Sequence, residues 1–279
     1  MRVVYFHSGK RKLPLPLLPA TVALIFLAAA VLVCSGVRTR PVLAEQLPLT
    51  GCRFVLDAGH GGFDGGAKSP SGTTEAPLNL KVASYLQKEL ETLGAEVIMT
   101  RTDDEALADT KKADMEVRRQ IIAQEGMTAA VSIHMNNFTT SGPCGPRVFF
   151  WESSEQGRAL AVSLQNALDD ACGFERKEPL AGDYMVLRSG SNTCVLVECG
   201  FLSNPTDEAL LKTAAHQKLL AKTIADVLCT RYGAQEDLPS MAKELCSQEH
   251  FRPLFRFRIA PNFDNTGICI YTILRNSKE

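Results

Sequence analysis

Residues 53–100 read RFVLDAGHGGFDGGAKSPSGTTEAPLNLKVASYLQKELETLGAEVIMT, and this one stretch decides the fold class. Arg53 to Asp57 is a short, mostly apolar run bounded by a glycine-rich turn, the pattern of a buried strand. Pro77 is expected at the first helical position, where its missing N–H has no partner to lose. From there Leu78, Val82, Tyr85, Leu86, Leu90 and Leu93 recur at helical spacing, which predicts a helix with one buried face. Gly94 ends the helix, and Glu96 to Thr100 reads as the next strand.

The same rhythm continues along the chain. A charged helix is expected around Met115 to Gln124, before an apolar strand at Ala129 to Ile133. Arg147 to Trp151 reads as a strand and Glu155 to Ala171 as a helix. Cys194 to Glu198 is a short buried strand, and Pro205 to Cys229 is largely helical. Strands alternating with helices predict an α/β domain, a sheet with helices on both faces, over residues 52–234. No internal repeat is present. After about residue 235 the rhythm breaks, and LFRFRIAPNFDNTGICIYTIL (254–274) carries strand-like segments and basic-aromatic alternation in an extension, 235–279, of unassigned structure.

A chain of 279 residues has room for one sizeable α/β domain and short extensions. Its net charge of −1 supplies no overall field toward nucleic acid, so no nucleic-acid partner is expected. Nine cysteines form no C-x-x-C pair, and Cys144, Cys172, Cys194 and Cys199 match no zinc-ribbon spacing; they read as small buried thiols. The N-terminus says more. Arg2, Lys10, Arg11 and Lys12, within a basic segment 1–16, precede an apolar stretch from Leu17 to Val37 that is long enough to span a bilayer. The excess of positive charge before it places the N-terminus in the cytoplasm and the rest outside, tethered through a linker at 38–51. A cleavable signal ending near Val42-Leu43-Ala44 is the alternative, and it would make the protein secreted.

Four residues carry the candidate chemistry. His60 follows the first strand, His134 follows the strand at 129–133, and Glu198 ends the strand at 194–198. Ligands of open α/β sheets bind beyond the carboxyl ends of strands, so residues distant in sequence meet on one rim. Glu75 closes the glycine-rich loop and can fold back onto that rim. Two imidazoles and a carboxylate make a three-ligand site for one zinc ion with an open fourth position, the arrangement that hydrolysis uses. Glu198 is then the candidate proton carrier. Gly59, Gly61 and Gly62 around His60 permit close backbone approach. The loop lacks the G-x-G-x-x-G and G-K-[ST] patterns of nucleotide sites.

DAGHGGFDGGA (57–67), Glu75 with the following LNL, VIMTR (97–101), VSIHMNN (131–137) and VLVECGFLSN (195–204) resemble, in this order, the zinc N-acetylmuramoyl-L-alanine amidases often called amidase type 3. The resemblance spans about Cys52 to Tyr232. It implies a twisted, mostly parallel six-stranded sheet and cleavage between the lactyl group of N-acetylmuramic acid and L-alanine of the peptidoglycan stem. It carries the metal ligands onto His60, Glu75 and His134, the catalytic glutamate onto Glu198, and a near-site residue onto Asn136. Ala58 departs from the proline usual there, and Ala76-Pro77 from charged residues, without removing a ligand. The opening PLTGCRFVLDAGHGGFDGGA (48–67) and the apolar N-terminus resemble most the membrane-anchored spore-cortex amidases, which prepare muramic acid for δ-lactam formation. Expected partners are peptidoglycan, the membrane through the anchor, and a protein activator. A zinc peptidase acting on stem-peptide bonds and an inactive wall-binding regulator are the competing readings.

Overall fold

The computed structural model describes residues 46–188, 190 and 192–234, together with four two-residue strands between 255 and 275. The basic N-terminus, the anchor expected at 17–37 and most of the 235–279 extension lie outside the described residues. Among the described residues, no helix is long and apolar enough to cross a membrane.

The expected strand–helix–strand unit is formed by β1 (Arg53–Ala58), α1 (Glu75–Thr92) and β2 (Glu96–Met99). It is followed by α2 (Lys111–Ile122), β3 (Ala129–Asn136), β4 (Arg147–Phe150), α3 (Glu155–Cys172), β5 (Leu180–Ala181), a 3₁₀ turn at Met185–Leu187, β6 (Cys194–Phe201), α4 (Pro205–Leu211) and α5 (Ala214–Tyr232). The sheet runs β2-β1-β3-β6-β4-β5. β2, β1, β3 and β6 are parallel; β4 pairs antiparallel with β6, and β5 runs parallel to β4. In the extension, β7 (Phe255–Arg256) pairs antiparallel with β10 (Leu274–Arg275), and β8 (Asn262–Phe263) with β9 (Cys269–Ile270).

Strand alternation sorts the side chains. Leu56, Val131, Val195 and Phe150 form one cross-sheet row, and Ala58, Ile133, Val197 and Val148 another. Both rows face the main core, where Leu78, Val82, Leu86 and Leu90 of α1 and the apolar faces of α3 and α5 cover them. Each fully buried aliphatic side chain of this kind contributes about 1.5–3 kcal/mol. The alternate rows face the other way. Val55, Ala130, Cys194 and Leu196 there meet Ile122 of α2 and Val186 and Leu187 of the 3₁₀ turn in a smaller core. The polar residues Asp57 and Ser132 share this second face, and the row beyond them is His134, Glu198 and Arg147.

Several boundaries differ from the sequence reading, each for a local reason. The helix α1 begins at Glu75, so Pro77 lies inside its first turn rather than opening it; the N–H it lacks is still one that no helix carbonyl would accept. The helix α2 begins at Lys111 because the Thr110 side chain accepts from Ala113 N and caps it. The helical stretch expected from Pro205 to Cys229 forms and divides at Lys212–Thr213, where Thr213 caps α5 and Gln217 Nε2 donates to the Leu211 carbonyl. The expected linker yields its last residues to the domain: Leu49 is fully buried, and its N–H donates to Leu93 O. Finally, β3 and β6 run past His134 and Glu198, with a register irregularity between His134 and Asn136. Cys52, Cys144, Cys172 and Cys199 form no disulfide.

Candidate metal centre

His60 is delivered by the turn after β1, Glu75 by the first residue of α1, and His134 by β3. One ligand atom from each lies within 4.8 Å of the others. His60 Nε2 is 3.3 Å from Glu75 Oε2, and His134 Nδ1 is 2.9 Å from Glu75 Oε1. The two rings meet edge to face, with centroids 5.0 Å apart. His60 adopts φ +62°, the single positive φ outside glycine among the described residues. Left-handed backbone of this kind costs about 1–3 kcal/mol and persists where the surroundings hold it.

The surroundings are specific. Arg118, fully buried on α2, donates from Nη2 to His60 O and from Nη1 to Ala58 O and Asp57 Oδ1. Its Nε donates to Asp114 Oδ1 one helical turn away. Arg101 donates from Nε to Ala58 O and from Nη2 to the carbonyls of Gly59 and Ala76. Two buried guanidinium forks therefore hold three successive carbonyls at the end of β1. Asp64 accepts at Oδ2 from the His60 Nδ1 edge at 2.9 Å and pairs with Lys111, so the ring orientation is set from behind. Asn79 donates from Nδ2 both to Gly59 O and to Glu75 Oε1. The backbone amides of Met135 and Ala67 complete the set of donors to Glu75.

The electrostatics follow from these partners. Burial pushes the Glu75 carboxyl up, but His134 and His60 outweigh it and hold the group well below the usual carboxylate range. Burial alone would lower His134, and Glu75 reverses that and raises it. Glu198 behaves oppositely. Burial, with Glu75 adding to it and the histidines opposing, pushes its carboxyl up to about 7. Glu198 is the Cα partner of His134 across the β3–β6 ladder, and its Oε2 has no hydrogen-bond partner among the described residues.

The donor set suits one divalent cation. Three donors of nitrogen and oxygen type converge from rigid elements, which fits zinc. Glycine keeps the cradle clear: a Cβ on Gly59 would lie 2.2 Å from the His134 ring, and one on Gly66 would lie 2.6 Å from Glu75 Oε2 and 2.7 Å from the His60 ring. All four residues singled out from the sequence are thus brought to one face. Asn136 lies two residues beyond His134 on β3, past the register irregularity, and its Oδ1 accepts from Asn137 N. Asp57, Asp64, Asn79, Arg101 and Arg118 were not legible as site residues. Asp57, Asp64, Asn79 and Arg101 lie inside the blocks that carry the family resemblance, and Arg118 is hinted at only by its i, i+4 spacing from Asp114.

Residues 54–230 match the family model described as N-acetylmuramoyl-L-alanine amidase. The probable cell wall amidase LytH of Staphylococcus aureus is 34% identical over 192 residues, 68% of this chain and 62% of that protein. The chain thus spans less than two thirds of that relative's length. The CwlD amidase from Clostridioides difficile, solved in complex with the GerS lipoprotein, superposes with a TM-score of 0.61 at 30% identity, over 65% of this chain and 98% of that one. The catalytic domain of CwlV from Paenibacillus polymyxa var. colistinus gives 0.59 at 29% identity, over 64% and 97%. With the family model matching more than half of its length, the chain belongs to the N-acetylmuramoyl-L-alanine amidase family, type 3.

Proposed function

We propose that this protein is a zinc-dependent amidase that hydrolyses the bond between the lactyl group of N-acetylmuramic acid and L-alanine in peptidoglycan. The observation that carries the reading is the juxtaposition of His60, Glu75 and His134 with Glu198, a buried carboxylate in register beside His134. His60, Glu75 and His134 would hold the zinc, which when bound acidifies water and polarises a carbonyl. Glu198 takes a proton from the attacking water as oxygen bonds to the lactyl carbonyl carbon. As the carbon–nitrogen bond breaks, Glu198 returns that proton to the leaving amine of L-alanine, so the group ends as it began. A carboxyl near neutrality suits both halves of that exchange. Asp64 keeps the His60 ring oriented, and the buried arginines keep its backbone in place.

The test is mass spectrometry of muropeptides after incubation with the purified chain and zinc. Muramic acid with a free lactyl carboxyl and intact released stems supports the amidase. Shortened stems still attached to muramic acid would make the protein a peptidase, and unchanged muropeptides would favour a wall-binding regulator. Chelation is expected to abolish cleavage.

The finer biology is part of the same proposal. The apolar segment 17–37 and the block at 48–67 support a membrane-tethered enzyme facing the cell envelope, acting in spore-cortex maturation. The complex of the similar CwlD amidase with a lipoprotein supports a lipoprotein activator here too. Cortex muropeptides lacking muramic-δ-lactam in a deletion strain are the expected result; normal lactam content would place the enzyme elsewhere in the envelope.

A further inference from the structure

The row that carries His134 and Glu198 continues one strand further, to Arg147. β6 pairs with β3 on one side, His134 opposite Glu198, and with β4 on the other, Arg147 opposite Glu198. Phe149, two residues along β4, packs into the smaller core, so strand alternation puts Arg147 on the face of Glu198. Arg147 is half-buried, yet its side chain has no hydrogen-bond or ion-pair partner among the described residues. Its cross-strand neighbour Glu198 leaves Oε2 unpartnered, so the guanidinium does not close back on the obvious carboxylate.

The wall beyond is built from aromatic rings. The Tyr184 ring stands edge to face on Phe149, with centroids 5.2 Å apart. Glycine at position 182 leaves the space that Tyr184 occupies, since a Cβ there would lie 2.6 Å from its ring. Burial, and then the Glu198 charge, raise the Tyr184 hydroxyl above its usual value.

We infer that Arg147 is a specificity-determining residue that binds a carboxylate of the substrate peptide on the leaving-group side, with Tyr184 and Phe149 as its wall. The inference rests on the amidase reading. Adjacent strands lie about 4.8 Å apart, so Arg147 stands one strand from Glu198 and two from the metal row. A peptide advances roughly 3.3–3.6 Å per residue. The α-carboxylate on the residue after L-alanine therefore falls where the guanidinium can reach it once the scissile amide lies beside Glu198. A guanidinium–carboxylate pair recognises that group by charge and by its two oxygens together.

The test compares two substrates, N-acetylmuramoyl-L-alanyl-D-glutamate and N-acetylmuramoyl-L-alanyl-D-isoglutamine, which differ by one carboxylate against a carboxamide. The zinc-loaded wild type is expected to favour the acid by about tenfold in kcat/KM, mainly through KM. Arg147→Gln should bring the ratio close to one, and Arg147→Lys should restore part of it. Equal kcat/KM for both substrates in the wild type, or an unchanged ratio in Arg147→Gln, overturns the inference. Calorimetric binding of both dipeptides to zinc-loaded Glu198→Gln, with and without Arg147→Gln, gives a readout independent of turnover. If the wild type cleaves neither dipeptide nor whole peptidoglycan, the amidase reading fails, and binding alone decides the subsite. Preference for the acid that disappears with Arg147→Gln supports it; equal or undetectable binding overturns it.

Discussion

Glu198 is buried by the sheet while one of its oxygens goes without a hydrogen-bond partner among the described residues. Such a placement is unfavourable unless the group is used. Glutamine keeps its shape and removes its capacity to carry a proton, so Glu198→Gln is expected to lower turnover ~10²–10⁴-fold. Zinc affinity, read by competition with a chromogenic chelator, should stay close to wild type; a parallel loss of affinity would put Glu198 among the ligands instead. Arg118 acts at one remove, through the carbonyls of Ala58 and His60. Lysine keeps the charge but not the planar fork. Arg118→Lys is therefore expected to weaken zinc binding ~10–100-fold while far-ultraviolet circular dichroism shows the fold retained. Unaltered affinity in a folded variant would show that the turn holds His60 without help.

At the scale of elements, the loop before α1 depends on a helix far along the chain. Glu208 of α4 accepts hydrogen bonds from Ser69, Ser71 and Thr73, the Ser69 and Thr73 bonds at 2.9 Å and 2.6 Å. This clasp ties the segment leading into Glu75 to the helix that follows β6. Those hydroxyls, Ser71 first, hold the Glu208 carboxyl below its usual value. Glu208→Ala is expected to speed amide hydrogen exchange across residues 66–74 and to weaken zinc binding; exchange unchanged from wild type would show the loop to be self-supporting. None of this was legible in the sequence, because three hydroxyls in a polar loop look like any turn. The helices and central strands were legible, since Leu78 to Leu90 and Val195 to Val197 carry a plain apolar period. β5 was not, being two exposed residues with no pattern, and neither was the irregularity after His134, which belongs to pairing between strands rather than to either strand. The four reactive residues were visible because glycine and apolar runs isolate them; the arginines behind them were not, because a buried charge is defined only by its distant partners.

Across the whole molecule, the buried Asp57–Arg118 pair, 2.8 Å long, lies under the metal row and joins β1 to α2. Burial pushes the Asp57 carboxyl up, but Arg118, His134 and Ser132 outweigh it and leave it below its usual value. A depressed folded value means that the contribution to stability is present above the unfolded pKa of about 4 and is lost as the pH falls through the folded value. The unfolding midpoint of the zinc-free protein is therefore expected to drop below about pH 4 more steeply in wild type than in Asp57→Asn. Equal slopes would assign acid sensitivity to other carboxylates. The strand order also sets an order in time. His60, Glu75 and His134 all precede residue 135, whereas Glu198 arrives on β6, which inserts between β3 and β4. A ribosome delivers His60, Glu75 and His134 first and Glu198 after them. On the proposed roles, the nascent chain would hold its full set of metal donors before it had any means of turnover, and hydrolysis would wait for the final central strand to slot into the sheet.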